Sequence, residues 1–386
     1  MLNEEQQQLR EAVLKQCGGF GDDYWLAQEN SARFPEEFYR AMAEAGWLGI
    51  AMPVEYGGSG LGITEAALTM QAVAESGAGM SGASSIHINI FGLNPVVVFG
   101  TQAQKQHMLP PLIEGRDKTC FAVTEPNAGH NTAEISTRAE RRADGKYVIK
   151  GEKIWISTAQ VASKMLIIAR TTPVDQVRRK MDGLSLFYTD LDRGKVEVRL
   201  IHKMGRHAVD SNMLFIDGLV VPEEDRIGEE GKGFEYLLHG LNPERILLAA
   251  ESVGIGRAAL HRAVRYARER VVFGRPIGQN QAVAHPLAQS WAQLEAANLM
   301  VFEAARLYDS GQPCGLQANA AKYLASEAAF SACERAVLTL GGMGYAQEYH
   351  VERLLRESLI PRIAPISNQM ILNFISEKAL GLPKSY

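Results

Sequence analysis

The sequence predicts an α+β protein of three parts: an N-terminal helical domain, a middle β-barrel or sandwich domain, and a C-terminal four-helix-bundle domain. Three observations carry this. Residues 1–118 show apolar positions at helical spacing, interrupted by glycine-rich turns. Residues 119–229 hold short β-branched and aromatic runs separated by turn residues. From 230 to 386 long helical patterns return, as in a bundle of antiparallel neighbours. A chain of 386 residues, 46% of them hydrophobic, can fill more than one core.

In the first part, EEFYRAMAEAGWLGI (36–50) places Phe38, Met42, Ala45 and Leu48 at helical spacing. EYGGSGLG (55–62) is a turn, and TQAQKQHMLPPLIEG (101–115) predicts a last helix ended by its prolines. The middle part predicts strands over 146–157, 163–171, 183–191, 195–201 and 211–221. The last part predicts helices near 233–271, 281–309, 314–340, 347–358 and 366–380.

Composition excludes several function classes. Net charge is −4, with 40 basic and 44 acidic residues and no long basic run, so neither nucleic acid nor an anionic membrane face is a partner. No unbroken apolar stretch nears the ~18 residues of a membrane span. MLNEEQQQLREAVLKQ has neither a secretory-signal nor a transit-peptide layout. The four cysteines form no C-x-x-C pair, which fits free thiols in a reducing compartment and argues against zinc. The expected location is the bacterial cytoplasm, or the mitochondrial matrix for a chain that has lost a presequence.

One motif misleads. GIGRAA (254–259) matches the dinucleotide pattern G-x-G-x-x-A but follows no strand and lies inside a helical run. Small residues that let two helices approach closely explain it better.

Other stretches are more specific. CFAVTEPNAGHNTAEISTRAER (120–141) precedes YVIKGEKIWIS (147–157); downstream come KMGRHAVDS (203–211), RERVVFGRPIGQNQ (268–281) and LGGMGYAQEYHVERLLRES (340–358). In order and spacing, over almost the whole chain, these resemble the acyl-CoA dehydrogenase family. The resemblance implies FAD, an acyl-CoA substrate, an electron-transfer flavoprotein as electron acceptor, and a homotetramer or homodimer. On the same scaffold an oxidase, a monooxygenase, a lyase or a non-catalytic CoA-thioester binder are the alternatives.

The resemblance also assigns residues. Phe121, Val123 and Thr124 would line the flavin ring and bond its pyrimidine edge, with Trp155 against the ring and Ser157 near N5. Either aromatic taken alone reads as ordinary β-core packing. Gly129 and His130, in a glycine-bearing turn, would approach the pyrophosphate; His130 reads equally as a loop histidine with no role. Arg270, Phe273 and Gln281 match positions that reach a neighbouring subunit's cofactor. Gly341 and Gly342 match a backbone turn beside it, and Ser367 and Gln369 a polar pair after the C-terminal turn. Asn242 and Arg245 match positions near CoA.

The reaction needs a carboxylate to take the proton α to the thioester. The family's C-terminal glutamate falls here on Pro365, which also lacks the N–H that would hold the thioester oxygen. Loss of one such donor costs roughly 3 kcal/mol of transition-state stabilisation unless Ile366 supplies it instead. The isovaleryl-CoA and long-chain branches of the family carry the base immediately before an arginine of an interior helix. Glu244–Arg245 matches that arrangement. From local sequence alone, Asn242 reads as an N-cap, Pro243 as the first helical residue, and Glu244 as an acid in the first turn meeting the helix dipole. Glu251 and Glu357 are weaker candidates for the base.

Overall fold

The structure is a computed structural model that describes residues 2–385. Seven helices open the chain: α1 (Glu4–Cys17), α2 (Asp22–Ser31), α3 (Glu36–Glu44), α4 (Ile63–Val73), α5 (Gly79–Phe91), α6 (Asn94–Phe99) and α7 (Gln102–Ile113). Capping sets several of their ends. Asn3 Oδ1 accepts from Gln6 N at 2.8 Å while Gln6 returns the bond to Asn3 N, and Thr101 and Gln104 repeat the device at α7. Two expectations are corrected. Pro110 and Pro111 sit inside α7, which runs on to Ile113. The helix of 36–50 stops at Glu44 because Gly46 turns left-handed (φ 81°); Phe38, Met42 and Leu48 reach the core, but Ala45 is exposed.

The run Ile63–Phe99 is long and apolar enough to cross a membrane by length and composition. Here it is mostly buried inside the fold and broken at Gly77 (φ 108°), which makes it a core element.

Eight strands follow: β1 (Thr119–Ala122), β2 (Arg138–Arg141), β3 (Tyr147–Ser157), β4 (Lys164–Arg170), β5 (Leu184–Asp190), β6 (Val196–Leu200), β7 (Ser211–Val221) and β8 (Arg226–Ile227). They form one sheet in the order β6-β7-β3-β2-β4-β5-β8, with β1 parallel to β4. Alternation drives burial: Tyr147, Ile149 and Ile156 of β3 pack with Leu214, Leu219 and Val221 of β7. The β3–β7 register shifts between Lys153 and Ile156, a bulge that carries Trp155 at φ 62°.

The last part is α8 (Gly233–Glu269), a short β9–β10 hairpin (Val271–Val272 and Arg275–Pro276), α9 (Gln281–Asp309), α10 (Gly315–Leu340), α11 (Val351–Glu357), α12 (Ile360–Ile363) and α13 (Asn368–Lys378). α8 packs against α9 and α10 on one side and α4 and α5 on the other, joining the helical parts through one core. The GIGRAA glycines make this possible. A Cβ on Gly254 would lie 2.4 Å from the Gln71 carbonyl oxygen of α4, and one on Gly256 2.6 Å from Leu294 of α9. The close-approach reading of that motif therefore holds.

Candidate functional site

α8 runs unbroken through Pro243, so Asn242 is not an N-cap and Glu244 is not in a first turn. The dipole argument for Glu244 falls with it. Proline has no N–H to give the His239 carbonyl four residues back; Asn94 Nδ2 reaches that oxygen at 3.4 Å instead. Asn242 Oδ1 accepts from Arg245 Nη1 at 3.2 Å, so the two CoA-side candidates hold each other. The Arg245 Nε is buried without a partner.

Glu244 lines a narrow crevice, too tight to admit a water molecule, with Phe91, Gly92, Pro95, Phe121, Leu237, Gly240 and Leu241. Gly240, one helical turn before it on the same face, has nothing within 4 Å of a built Cβ. A glycine here costs the helix about 1 kcal/mol against alanine and leaves room in front of the carboxyl. Burial raises the Glu244 pKa above the ordinary carboxylate range, against the opposing charges of His87 and Arg245. Glu244 thus has the environment of a proton-accepting carboxyl in an apolar pocket.

Phe121 connects this wall to the sheet. It lies in β1, and its ring centroid is 6.2 Å from that of Phe91 on α5. Beyond it, the Thr124 carbonyl accepts from Ile154 N at 2.9 Å, which brings Trp155 and Ser157 beside the Val123–Thr124 segment. Trp155 is 57% exposed and held at a left-handed backbone conformation, so it is not the core residue that its hydrophobicity alone implies. Ser157 Oγ accepts from Arg206 Nη2 at 3.0 Å, which leaves its own proton free to be donated elsewhere. The exposed Trp155 ring, beside the strand end that carries Thr124 and two residues from the Ser157 hydroxyl, fits a flat, heteroatom-edged ring.

A buried ion pair fixes this corner. Glu125 accepts from Ser136 N and Oγ, both at 2.7 Å, Thr137 N at 2.9 Å and Lys153 Nζ at 3.0 Å; Lys153 also donates to the Val123 carbonyl. Although burial opposes it, the Lys153 charge and these donors pull the Glu125 pKa down to about 2. Burial pulls Lys153 down to about 8. Neither residue was singled out from sequence, because a lysine inside a strand reads as a solvent-facing position.

His130 joins two predicted segments: its Nε2 accepts from Ser367 N at 3.2 Å. Ser367 Oγ caps α13 through Met370 N, and Gln369 is exposed beside it. Gly129 is exposed and open on its Cβ side. The turn that replaces the family's C-terminal glutamate is anchored by buried Lys322, whose Nζ donates to the Ile366 carbonyl at 2.6 Å and Asn368 Oδ1 at 2.9 Å. Burial and the Arg245 charge pull Lys322 down to about 7. Ile366 N–H donates to no acceptor among the described residues. Glu357, the other C-terminal carboxylate considered as a base, is spent on Arg353, Ser81 and the Met80 N–H.

The remaining candidates lie elsewhere. Arg270 follows α8 and Gln281 starts α9; both are exposed, and Phe273 is fully so. Gly341 and Gly342 follow α10, in the segment whose Tyr349 ring contacts Tyr266 near the same end of α8. From Glu244 to Glu269 the helix climbs about 38 Å. These five residues therefore do not share a site with Glu244 in the same chain.

Comparison with known proteins agrees with this architecture. The N-terminal, middle and C-terminal domains of acyl-CoA dehydrogenase match residues 3–116, 120–219 and 231–380. The acyl-CoA dehydrogenase FadE12 of Mycobacterium tuberculosis is 37% identical over 391 aligned residues, covering 100% of this chain and 98% of that one. The caffeyl-CoA reductase–Etf complex subunit CarC of Acetobacterium woodii is 35% identical, covering 85% and 86%. The butyryl-CoA dehydrogenase structure from Megasphaera elsdenii superposes with a TM-score of 0.93 at 30% identity, covering 99% of each chain. Three consecutive domain matches and full-length relatives on one helix–sheet–helix frame place this chain in the acyl-CoA dehydrogenase family of FAD-dependent oxidoreductases.

Proposed function

We propose that this chain dehydrogenates an acyl-CoA thioester between its α and β carbons, with Glu244 as the base. The observation that carries this reading is that Glu244 lines the same narrow crevice as Phe121, which leads into the segment carrying Thr124, beside Trp155 and Ser157. FAD, held by Phe121, Val123, Thr124, Gly129, His130, Trp155, Ser157, Ser367 and Gln369, supplies the acceptor for the hydride leaving the β carbon. Glu244 removes the α proton as its carboxylate; its raised pKa makes it a stronger base than an exposed glutamate. Arg245, steadied by Asn242, faces the CoA phosphates as a fixed cation. The Ile366 N–H holds the thioester oxygen in place of the donor that Pro365 lacks, with Lys322 keeping the turn in register.

Arg270, Phe273, Gln281, Gly341 and Gly342 serve the cofactor of a second copy, because no small cofactor spans the length of α8. The working unit is a homodimer or a homotetramer. Electron transfer to an electron-transfer flavoprotein is supported by the Etf-complex relative from Acetobacterium woodii. Bacterial relatives and four buried free cysteines support a cytoplasmic location.

The test is an anaerobic panel of acyl-CoAs mixed with the flavin-loaded protein. Bleaching of flavin absorbance by at least one thioester, with enoyl-CoA as product, is the expected result. No bleaching by any member, or bleaching undiminished in Glu244→Gln, removes the reading.

A further inference from the structure

Backbone strain gathers around one serine. Six non-glycine residues among those described have positive φ, and three of them, Trp155 (62°), Thr158 (67°) and Arg206 (56°), flank or contact Ser157. Such strain persists only where the surroundings hold it, and it concentrates at functional positions. Arg206 lies in the loop 201–210 between β6 and β7, and that loop is fixed from the helical side. Glu29 of α2 accepts from His207 N at 2.7 Å, and Arg356 of α11 donates to the Met204 carbonyl at 2.8 Å. Within the loop, Lys203 Nζ donates to the Val209 carbonyl at 2.7 Å. These bonds hold the left-handed turn and aim the guanidinium between the sheet and α5.

The guanidinium clips three elements together. Nη1 donates to Ser84 Oγ of α5 at 3.1 Å; Nη2 donates to Ser157 Oγ of β3 at 3.0 Å and to Ser211 Oγ of β7 at 3.3 Å. No carboxylate among the described residues shares these donors. Asp210, which offsets the charge, accepts from Gln160 N and Asn212 Nδ2, while Glu357 accepts from Arg353 and Glu251 pairs with His87. What reaches Ser157 is therefore a directed hydrogen bond rather than an unbalanced charge. Serine has no β-branch, so its oxygen moves among three staggered positions unless a neighbour fixes it. Arg206 occupies one lone pair and fixes that oxygen, and the hydroxyl proton meets no acceptor among the described residues. The same cation holds α5, whose Phe91 lines the Glu244 crevice.

We propose that Arg206 is a positioning residue for the cofactor-side hydroxyl: it holds Ser157 Oγ so that the proton points to the flavin ring. Through Ser84 it keeps that oxygen in register with the helix that walls the Glu244 crevice. The inference rests on the reading of Ser157 as a flavin-facing residue. In this role Arg206 acts only through the serine, so its effect on the reaction must vanish once the hydroxyl is gone.

A double-mutant cycle tests it, over the parent, Arg206→Gln, Ser157→Ala and the double variant. Two quantities are read: the limiting rate of flavin reduction by butyryl-, hexanoyl- or octanoyl-CoA, whichever bleaches fastest, and calorimetric FAD affinity of the apoprotein, which needs no turnover. Ser157→Ala should slow reduction by about 10²-fold and Arg206→Gln by about tenfold, with thioester Kd unchanged. In the Ser157→Ala background Arg206→Gln should cost less than about twofold. FAD affinity, weakened roughly three- to tenfold by either single change, should show the same pattern. Losses that multiply in the double variant overturn the proposal, because they mark a residue that only ties β3 and β7 to α5. So does an Arg206→Gln enzyme that reduces flavin at the parental rate. Should that variant not fold, Arg206→Lys replaces it, since one ammonium cannot reproduce the three-way fork. Its rate must still fall by about threefold or more, and no further once Ser157 is alanine; either failure overturns the proposal. If no thioester bleaches the flavin of the unmodified enzyme, the dehydrogenase reading has failed, and FAD affinity alone decides the Arg206–Ser157 coupling.

Discussion

Replacement of Glu244 by glutamine keeps the side chain's shape and removes its capacity to accept a proton. A positioned general base contributes about 10²–10⁴ in rate. Each factor of ten is about 1.36 kcal/mol, so the barrier should rise by roughly 3–5 kcal/mol. The structure places the loss toward the upper end, because no other carboxylate can step in. Glu251 lies about 10 Å deeper along α8 and is paired with His87. Glu357 is locked to Arg353 and the start of α5. Anaerobic stopped-flow reduction of the bound flavin isolates the step. In the unmodified enzyme its rate should rise with pH, because the base works deprotonated, and the midpoint should lie above the ordinary carboxylate range, because burial raises this pKa. Glu244→Gln should be slow and lack that limb while still binding thioester. A loss below tenfold, or a surviving limb, would show that another group takes the proton.

Three further outcomes follow from the packing. Lys153→Met leaves Glu125 buried without its cation and should cost about 3–5 kcal/mol in urea unfolding. Glu125 titrates near 2 when folded against an ordinary 4.5; the stability this shift confers is complete above 4.5 and disappears as pH falls toward 2, so the stability gap between parent and variant should be widest above pH 4.5 and narrow toward pH 2. Gly254→Val drives a side chain into the Gln71 carbonyl and should destabilise by about 1–3 kcal/mol, measurable as an earlier denaturant midpoint. Lys322→Met frees the Ile366 carbonyl and should slow flavin reduction by about tenfold or more, below the ~10²–10³ of losing an oxyanion donor outright; an unchanged rate would show that the turn needs no anchor.

The long helices and strands were legible because their periodicity persists: α8, α9 and α10 begin and end within two residues of the expected bounds. β2 and β8 were not, since four residues with a single apolar one and a two-residue strand carry no period to read. Pro243 shows how a local rule fails. Asn-Pro-Glu has the composition of a helix start, yet tertiary packing runs the helix through it and hands the orphaned His239 carbonyl to Asn94, a contact 145 residues away. The two ends of the cofactor-related set were named from family resemblance, but their separation became visible only once α8 was a single rod. Arg206, His87 and Lys153 escaped notice because each looks like a surface residue in its own segment. Only the neighbours brought by other elements reveal that Lys153 is buried against Glu125, that His87 pairs with Glu251, and that Arg206 bridges serines of α5, β3 and β7.

That rod implies something about mixtures. If each reaction centre draws its proton acceptor from one polypeptide and its guanidinium clamp from another, two individually inactive proteins can restore each other. Glu244→Gln and Arg270→Ala protomers, unfolded together and reassembled, would produce mixed pairs in which one centre carries both lesions and the other carries neither. Turnover should then reappear in a blend of two silent preparations, in proportion to the fraction of hybrid assemblies.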